Sequence, residues 1–112
     1  MTTARIEVAT DDGRVRIAAA GDIDLANAAA VEEQIVAAIT NQVTSVSVDL
    51  GEVDYIDSVG LRIFFSLASR LAGLQIAFDL VSPVGSPSRR AVEVSGLASL
   101  VELRPAMDPA AG

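Results

Sequence analysis

One serine and a set of carboxylates are the residues best suited to chemistry. Ser58 lies in the run Asp57-Ser58-Val59-Gly60-Leu61, at the end of an acidic stretch that begins at Asp49. Asp57 is placed to cap a helix, which puts Ser58 in the first turn, where backbone N–H groups have no intrahelical partners. A serine there is accessible, and a phosphate on it would meet the positive end of the helix dipole. An Asp-Ser pair is also an ordinary helix start, and that is its more frequent meaning. Gly60 in the first turn costs about 1 kcal/mol relative to alanine. Either a partner approaches the backbone closely there, or a strand of the same domain does.

A second acidic pair, Asp22 and Asp24, follows an alternating segment. Loops after the strands of a crossover sheet gather at one edge. Asp22, Asp24, Asp49, Asp54 and Asp57 are therefore expected to converge near Ser58. Three carboxylates can hold a magnesium ion. With no phosphate cradle beside them, helix caps and loop hydrogen bonds account for them better, so neither a metal nor a cofactor is assigned. The chain has no histidine and no cysteine. That removes the commonest general base, thiolate catalysis, disulfides and a hydrolase triad. Gly51, Gly60 and Gly73 do not have the spacing of a phosphate loop, and Arg89-Arg90 reads as a solvated pair. These exclusions favour a binding or regulatory protein over an enzyme.

The elements that position these residues follow from composition and periodicity. The chain has 112 residues, 51% of them hydrophobic, which suits one domain with one core. Its formal net charge of −7 makes nucleic acid and anionic membrane surfaces poor partners. Residues 59–74 are the most apolar stretch but contain Arg62 and Arg70, which argues against a membrane span. The N-terminus leads directly into an alternating segment, with no signal peptide, and the expected location is the cytoplasm.

Ile6 and Val8, then Val15, Ile17 and Ala19, alternate on either side of Asp11-Asp12-Gly13, which predicts an antiparallel hairpin. Helical spacing predicts a first helix over residues 25–40, with Asp24 as its cap. Val46, Val48 and Leu50 form a strand, residues 51–57 a loop, and residues 58–72 a second helix. That helix is apolar nearly all round, which suits a buried element or one that presents a side to a partner, and leaves room for a homodimer. A strand over residues 74–81 follows. A short third helix over residues 88–95, with Ser86 and Pro87 at its start and Gly96 at its stop, leads to a last strand over residues 97–103. Residues 104–112 are read as a flexible tail. The order β-β-α-β-α-β-α-β implies a mixed central sheet with packed helices, an α/β fold in one domain.

Three stretches make the chain similar to the STAS family, the anti-sigma-factor antagonist domain, over about residues 6–103. Gly21-Asp22-Ile23-Asp24-Leu25 resembles the family's stretch before the first helix. The run from Val48 to Leu61 resembles its central Asp-Leu-x-x-Val-x-Phe-Ile-Asp-Ser-x-Gly-Leu signature. The segment from Arg89 to Leu97 resembles the segment before its last strand. The resemblance implies a STAS-like fold and a regulator that binds an anti-sigma factor with serine kinase activity. It implies that Ser58 is the phospho-acceptor, that a serine phosphatase restores it, and that phosphorylation switches binding off. Asp22, Asp24, Asp57, Val59, Gly60 and Leu61 would then surround Ser58 in the docking surface. Val59 stands where many members carry a second small residue. The family also contains accessory subunits of transporters and stress-signalling complexes, in which the serine need not be modified.

Overall fold

The computed structural model describes residues 3–107. Asp12 and Gly13 are the two residues between β1 (Ala4–Asp11) and β2 (Arg14–Ile23), and both have positive φ, 49° and 81°. This is a type I′ turn, whose twist suits a tight hairpin. The chain continues through α1 (Ala28–Ala37), β3 (Ser45–Ile56), α2 (Ser58–Gly73), β4 (Ala77–Val81) and α3 (Pro87–Ser95). A 3-10 turn (Leu97–Ser99) then leads to β5 (Glu102–Arg104).

The five strands lie side by side in chain order, β1-β2-β3-β4-β5. The first pair is antiparallel and the other three are parallel. Right-handed crossovers in an unreversed strand order put all three helices on one face. Val15, Ile17, Val46, Val48 and Leu80 point to that face, where they share a buried core with Val31, Ile35, Phe64, Leu67, Leu71 and Val92. The alternate positions, among them Arg14, Arg16, Ser45, Ser47, Asp79 and Arg104, lie on the open face and line a shallow groove there. The alternation of accessible and buried residues over Arg14–Ala19 in β2 and Ser45–Leu50 in β3 is what a sheet covered on one side requires.

The segment expected to be a loop, residues 51–57, is strand as far as Ile56. Its register against β2 slips twice, between Ala18 and Ala20 and between Gly21 and Asp22, where β3 carries an extra residue each time. These are β-bulges. They explain the spacing of the apolar residues: Leu50, Val53 and Ile56 are three apart, yet all are buried. Each bulge resets the phase by one residue and returns the next apolar side chain to the core. At the first bulge the Gly51 N–H donates to Asp49 Oδ1 (2.8 Å), and the Leu50 carbonyl accepts from Ser88 Oγ (2.9 Å).

Three other elements differ from expectation. The first helix starts at Ala28, because Asp24 builds a turn: its Oδ1 accepts from Ala26 N (3.0 Å) and its carbonyl accepts from Asn27 N (3.1 Å) and Ala28 N (2.7 Å). The helix ends at Ala37, where Ala38 and Ile39 donate to carbonyls three residues back. β4 starts only at Ala77, after Gln75 takes φ 60°. The last strand shrinks to Glu102–Arg104, because Ser95 Oγ accepts from Leu97 N (3.2 Å) and Ser99 Oγ donates to Gly96 O (2.8 Å). Such local side-chain bonds hold a turn in place of a strand. Within the stretch read as a tail, Arg104 belongs to β5, and residues 108–112 lie outside the described residues.

Candidate functional site: an exposed serine at the start of α2

The site lies where β2 and β3 end. Ile23 and Ile56 pair in the last rung of the ladder, and the Asp57 N–H continues it by donating to Ile23 O (3.1 Å). Asp57 is extended, with φ −93° and ψ −178°, and is the N-cap of α2. Its Oδ1 accepts from Gly60 N (2.8 Å) and its Oδ2 from Leu25 N (3.1 Å). One carboxylate thus holds both the start of α2 and the loop after β2. Ser58 is the first residue of the helix and is exposed. Its hydroxyl has no hydrogen bond within the described residues.

Gly60 is buried, and the structure shows what approaches it. A Cβ at this position would lie 2.7 Å from Ile23 O and 2.9 Å from Ile56 Cγ1. The glycine lets α2 pack directly on the end of β2. That close approach fixes where Ser58 sits at the start of the helix. Val59 and Leu61 are half-buried and pack on the core.

The five carboxylates do not converge. Asp24 and Asp57 share a shallow cleft of about 390 Å³ with Leu25, Ala26 and Tyr55. Asp54 lies in a different groove, with Thr3, Arg5 and Glu52. Asp49 lies further back, on the open face of the sheet beside Glu7 and Arg16. The persistence of β3 causes this dispersal, since strand residues alternate between faces where a loop would have collected them. Asp22 is held from behind, its N–H donating to Thr3 O (3.0 Å) and its carbonyl accepting from Asn27 Nδ2 (2.7 Å). Among the described residues no three Asp or Glu side chains are grouped as they would be to hold a metal ion.

Two residues not singled out from the sequence line the cleft that holds Asp57, the residue before Ser58. Leu25 is 75% exposed and Tyr55 is 55% exposed. Apolar surface marks a protein-binding site when it is contiguous, and these two side chains line one cleft. Leu25 was obscured by being placed in the first helix, which starts only at Ala28. The signal for Tyr55 was obscured once its segment was read as a loop.

A hairpin leading into three strand–helix crossovers, with a serine at the open start of the second helix, is the architecture of a STAS domain. The chain belongs to this family: the family model described as "Mlab, STAS domain" matches residues 6–104. Among curated proteins it is similar to the anti-sigma-F factor antagonist RsfB of Mycobacterium tuberculosis. The two are 34% identical over 92 residues, which is 82% of this chain and 74% of that protein. A crystal structure of an anti-sigma factor antagonist from Mycobacterium paratuberculosis superposes with a TM-score of 0.87 at 29% identity, covering 97% of this chain and 92% of that one. SpoIIAA of Bacillus in its phosphorylated form shares the fold, with a TM-score of 0.68 at 19% identity over 96% of each chain. These relatives are regulatory proteins, in keeping with the sequence-based expectation of a non-enzymatic role. No helix among the described residues is long and apolar enough to cross a membrane.

Proposed function

We propose that this protein is an anti-sigma factor antagonist that binds an anti-sigma factor with serine kinase activity and is switched off by phosphorylation at Ser58. The observation that carries the proposal is the exposed Ser58 at the first position of α2, with Leu25 and Tyr55 exposed on the surface around it. In this reading the partner's ATP gives up its γ-phosphoryl group. A bond forms between Ser58 Oγ and phosphorus, ADP leaves, and the serine proton passes to a base on the kinase. This chain has no histidine or cysteine to act as that base.

Phosphorylation adds about 1.5 to 2 negative charges at pH 7. In the free protein the start of α2 tolerates that charge, since helix N-termini favour anions. At a docked interface the same charge would be buried against apolar groups, next to Asp24 and Asp57. Desolvating it costs several kcal/mol, enough to weaken binding by orders of magnitude. The switch acts at the surface and leaves the fold unchanged. Asp22, Asp24, Asp57 and Val59 to Leu61 frame the serine, and a serine phosphatase resets it.

The test is incubation with an anti-sigma factor kinase and ATP, followed by mass spectrometry. Phosphate on Ser58 is expected, with Ser58→Ala retaining the kinase and Ser58→Asp releasing it. Equal binding of the two variants, or no phosphate on the wild type, would leave instead the unmodified accessory subunit of a transporter or signalling complex.

A further inference from the structure

We propose that β1 is a dimerisation edge, at which two copies of this chain join their sheets antiparallel about a two-fold axis through Ile6. Among the described residues β1 is an outermost strand of eight residues, whereas the opposite edge, β5, has three. A long uncovered edge is a template for another strand.

The backbone fixes which groups are offered. The Asp22 N–H donates to Thr3 O. In the β1–β2 register Ala4 faces Gly21, so Thr3 faces Asp22, and these two form a hydrogen-bonded pair. Such pairs recur at every second residue of an antiparallel ladder. Arg5, Glu7, Ala9 and Asp11 therefore turn their N–H and C=O groups toward β2. Ala4, Ile6, Val8 and Thr10 turn theirs outward.

An axis through Ile6 uses these outward groups. Ile6 pairs with Ile6 of the second copy, and Ala4 pairs with Val8, each pair exchanging both backbone bonds. The side chains agree with the backbone. Arg5 and Glu7 are exposed and point to the open face of the sheet. About this axis Arg5 of each copy stands directly opposite Glu7 of the other, giving two opposite-charge cross-strand pairs. On the other face Val8, 46% exposed in the single chain, gains Ala4 of the second copy as its neighbour. A single pair of edge strands buries little area, so the dimer is weak and concentration-dependent. It leaves Ser58 uncovered, since β1 lies on the far side of β2 from β3 and α2.

Sedimentation velocity from about 1 μM to about 1 mM tests this. The mean mass of the wild type should climb toward twice the monomer. R5E alone, or E7R alone, sets like charges opposite each other and should weaken association at least about tenfold. An equimolar mixture of the two variants should associate again, because each reversed charge then meets an opposite one. A wild type that stays monomeric throughout would overturn the proposal. So would single variants that associate as the wild type does, or a mixture that remains monomeric.

Discussion

The carboxylate of Asp57 reaches across to the backbone N–H of Leu25, 32 residues earlier in the chain, at 3.1 Å. With its other oxygen it caps Gly60. The loop that carries exposed Leu25 and the helix that carries Ser58 are thereby fixed to one side chain. Asp57→Ala removes the acceptor from both amides and is expected to lower stability by about 1–2 kcal/mol. Asp57→Asn keeps one oxygen and should recover part of the loss. Urea unfolding monitored by circular dichroism reads both, and an unchanged midpoint for the alanine variant would show that water serves these amides as well.

Gly60→Ala tests the contact between α2 and β2. In an open helix this change would stabilise by about 1 kcal/mol. Here the new methyl meets the Ile23 carbonyl at 2.7 Å, a backbone atom that cannot rotate aside. The expected net effect is a loss of about 1–3 kcal/mol, read as a lower melting temperature. Gly73 is the control, since nothing lies within 4 Å of a Cβ placed there. Gly73→Ala should be neutral or mildly stabilising.

Leu25→Ala and Tyr55→Ala test the docking surface. Both side chains are largely in water, so the melting temperature should move little. Binding to the anti-sigma factor kinase should weaken by about 1–3 kcal/mol for each, roughly 5- to 150-fold. Titration calorimetry with the unphosphorylated protein measures this. Unchanged affinity in both variants would place the interface elsewhere.

Ser88 is fully buried and donates to the Leu50 carbonyl at 2.9 Å. It also shares a hydrogen bond with Ser82. Ser88→Ala leaves the Leu50 carbonyl without this donor in a buried site, while Ser82 Oγ keeps its bond with Ser86 Oγ (3.1 Å), and a loss of about 1–3 kcal/mol is expected. Ser88→Val adds bulk where the hydroxyl contacts sit and should cost more. Comparing the two unfolding midpoints checks the order.

Much of this fold was legible in the residues. Asp12-Gly13 marked the hairpin, Asp57 marked the cap of α2, and Ser86-Pro87 and Gly96 marked the limits of α3. These are local signals, each settled by a turn or a cap. The continuation of β3 was not legible, because a strict two-residue period fails at Leu50, Val53 and Ile56. Only the pairing with β2 shows that bulges absorb the extra residues. The same omission scattered the expected acidic cluster. Asp49 and Asp54 belong to a strand, so they emerge on a different side from Asp24 and Asp57. Gly60 stood out as unusual from sequence, but the identity of what presses on it, Ile23, required the tertiary structure.

The left-to-right order of the strands repeats their order along the chain. No segment has to be threaded between two neighbours that are already in place. During synthesis the hairpin can form as soon as it leaves the ribosome, and each later crossover adds to an edge that is waiting for it. Assembly by accretion of this kind lets each crossover close on its immediate neighbour in the sheet.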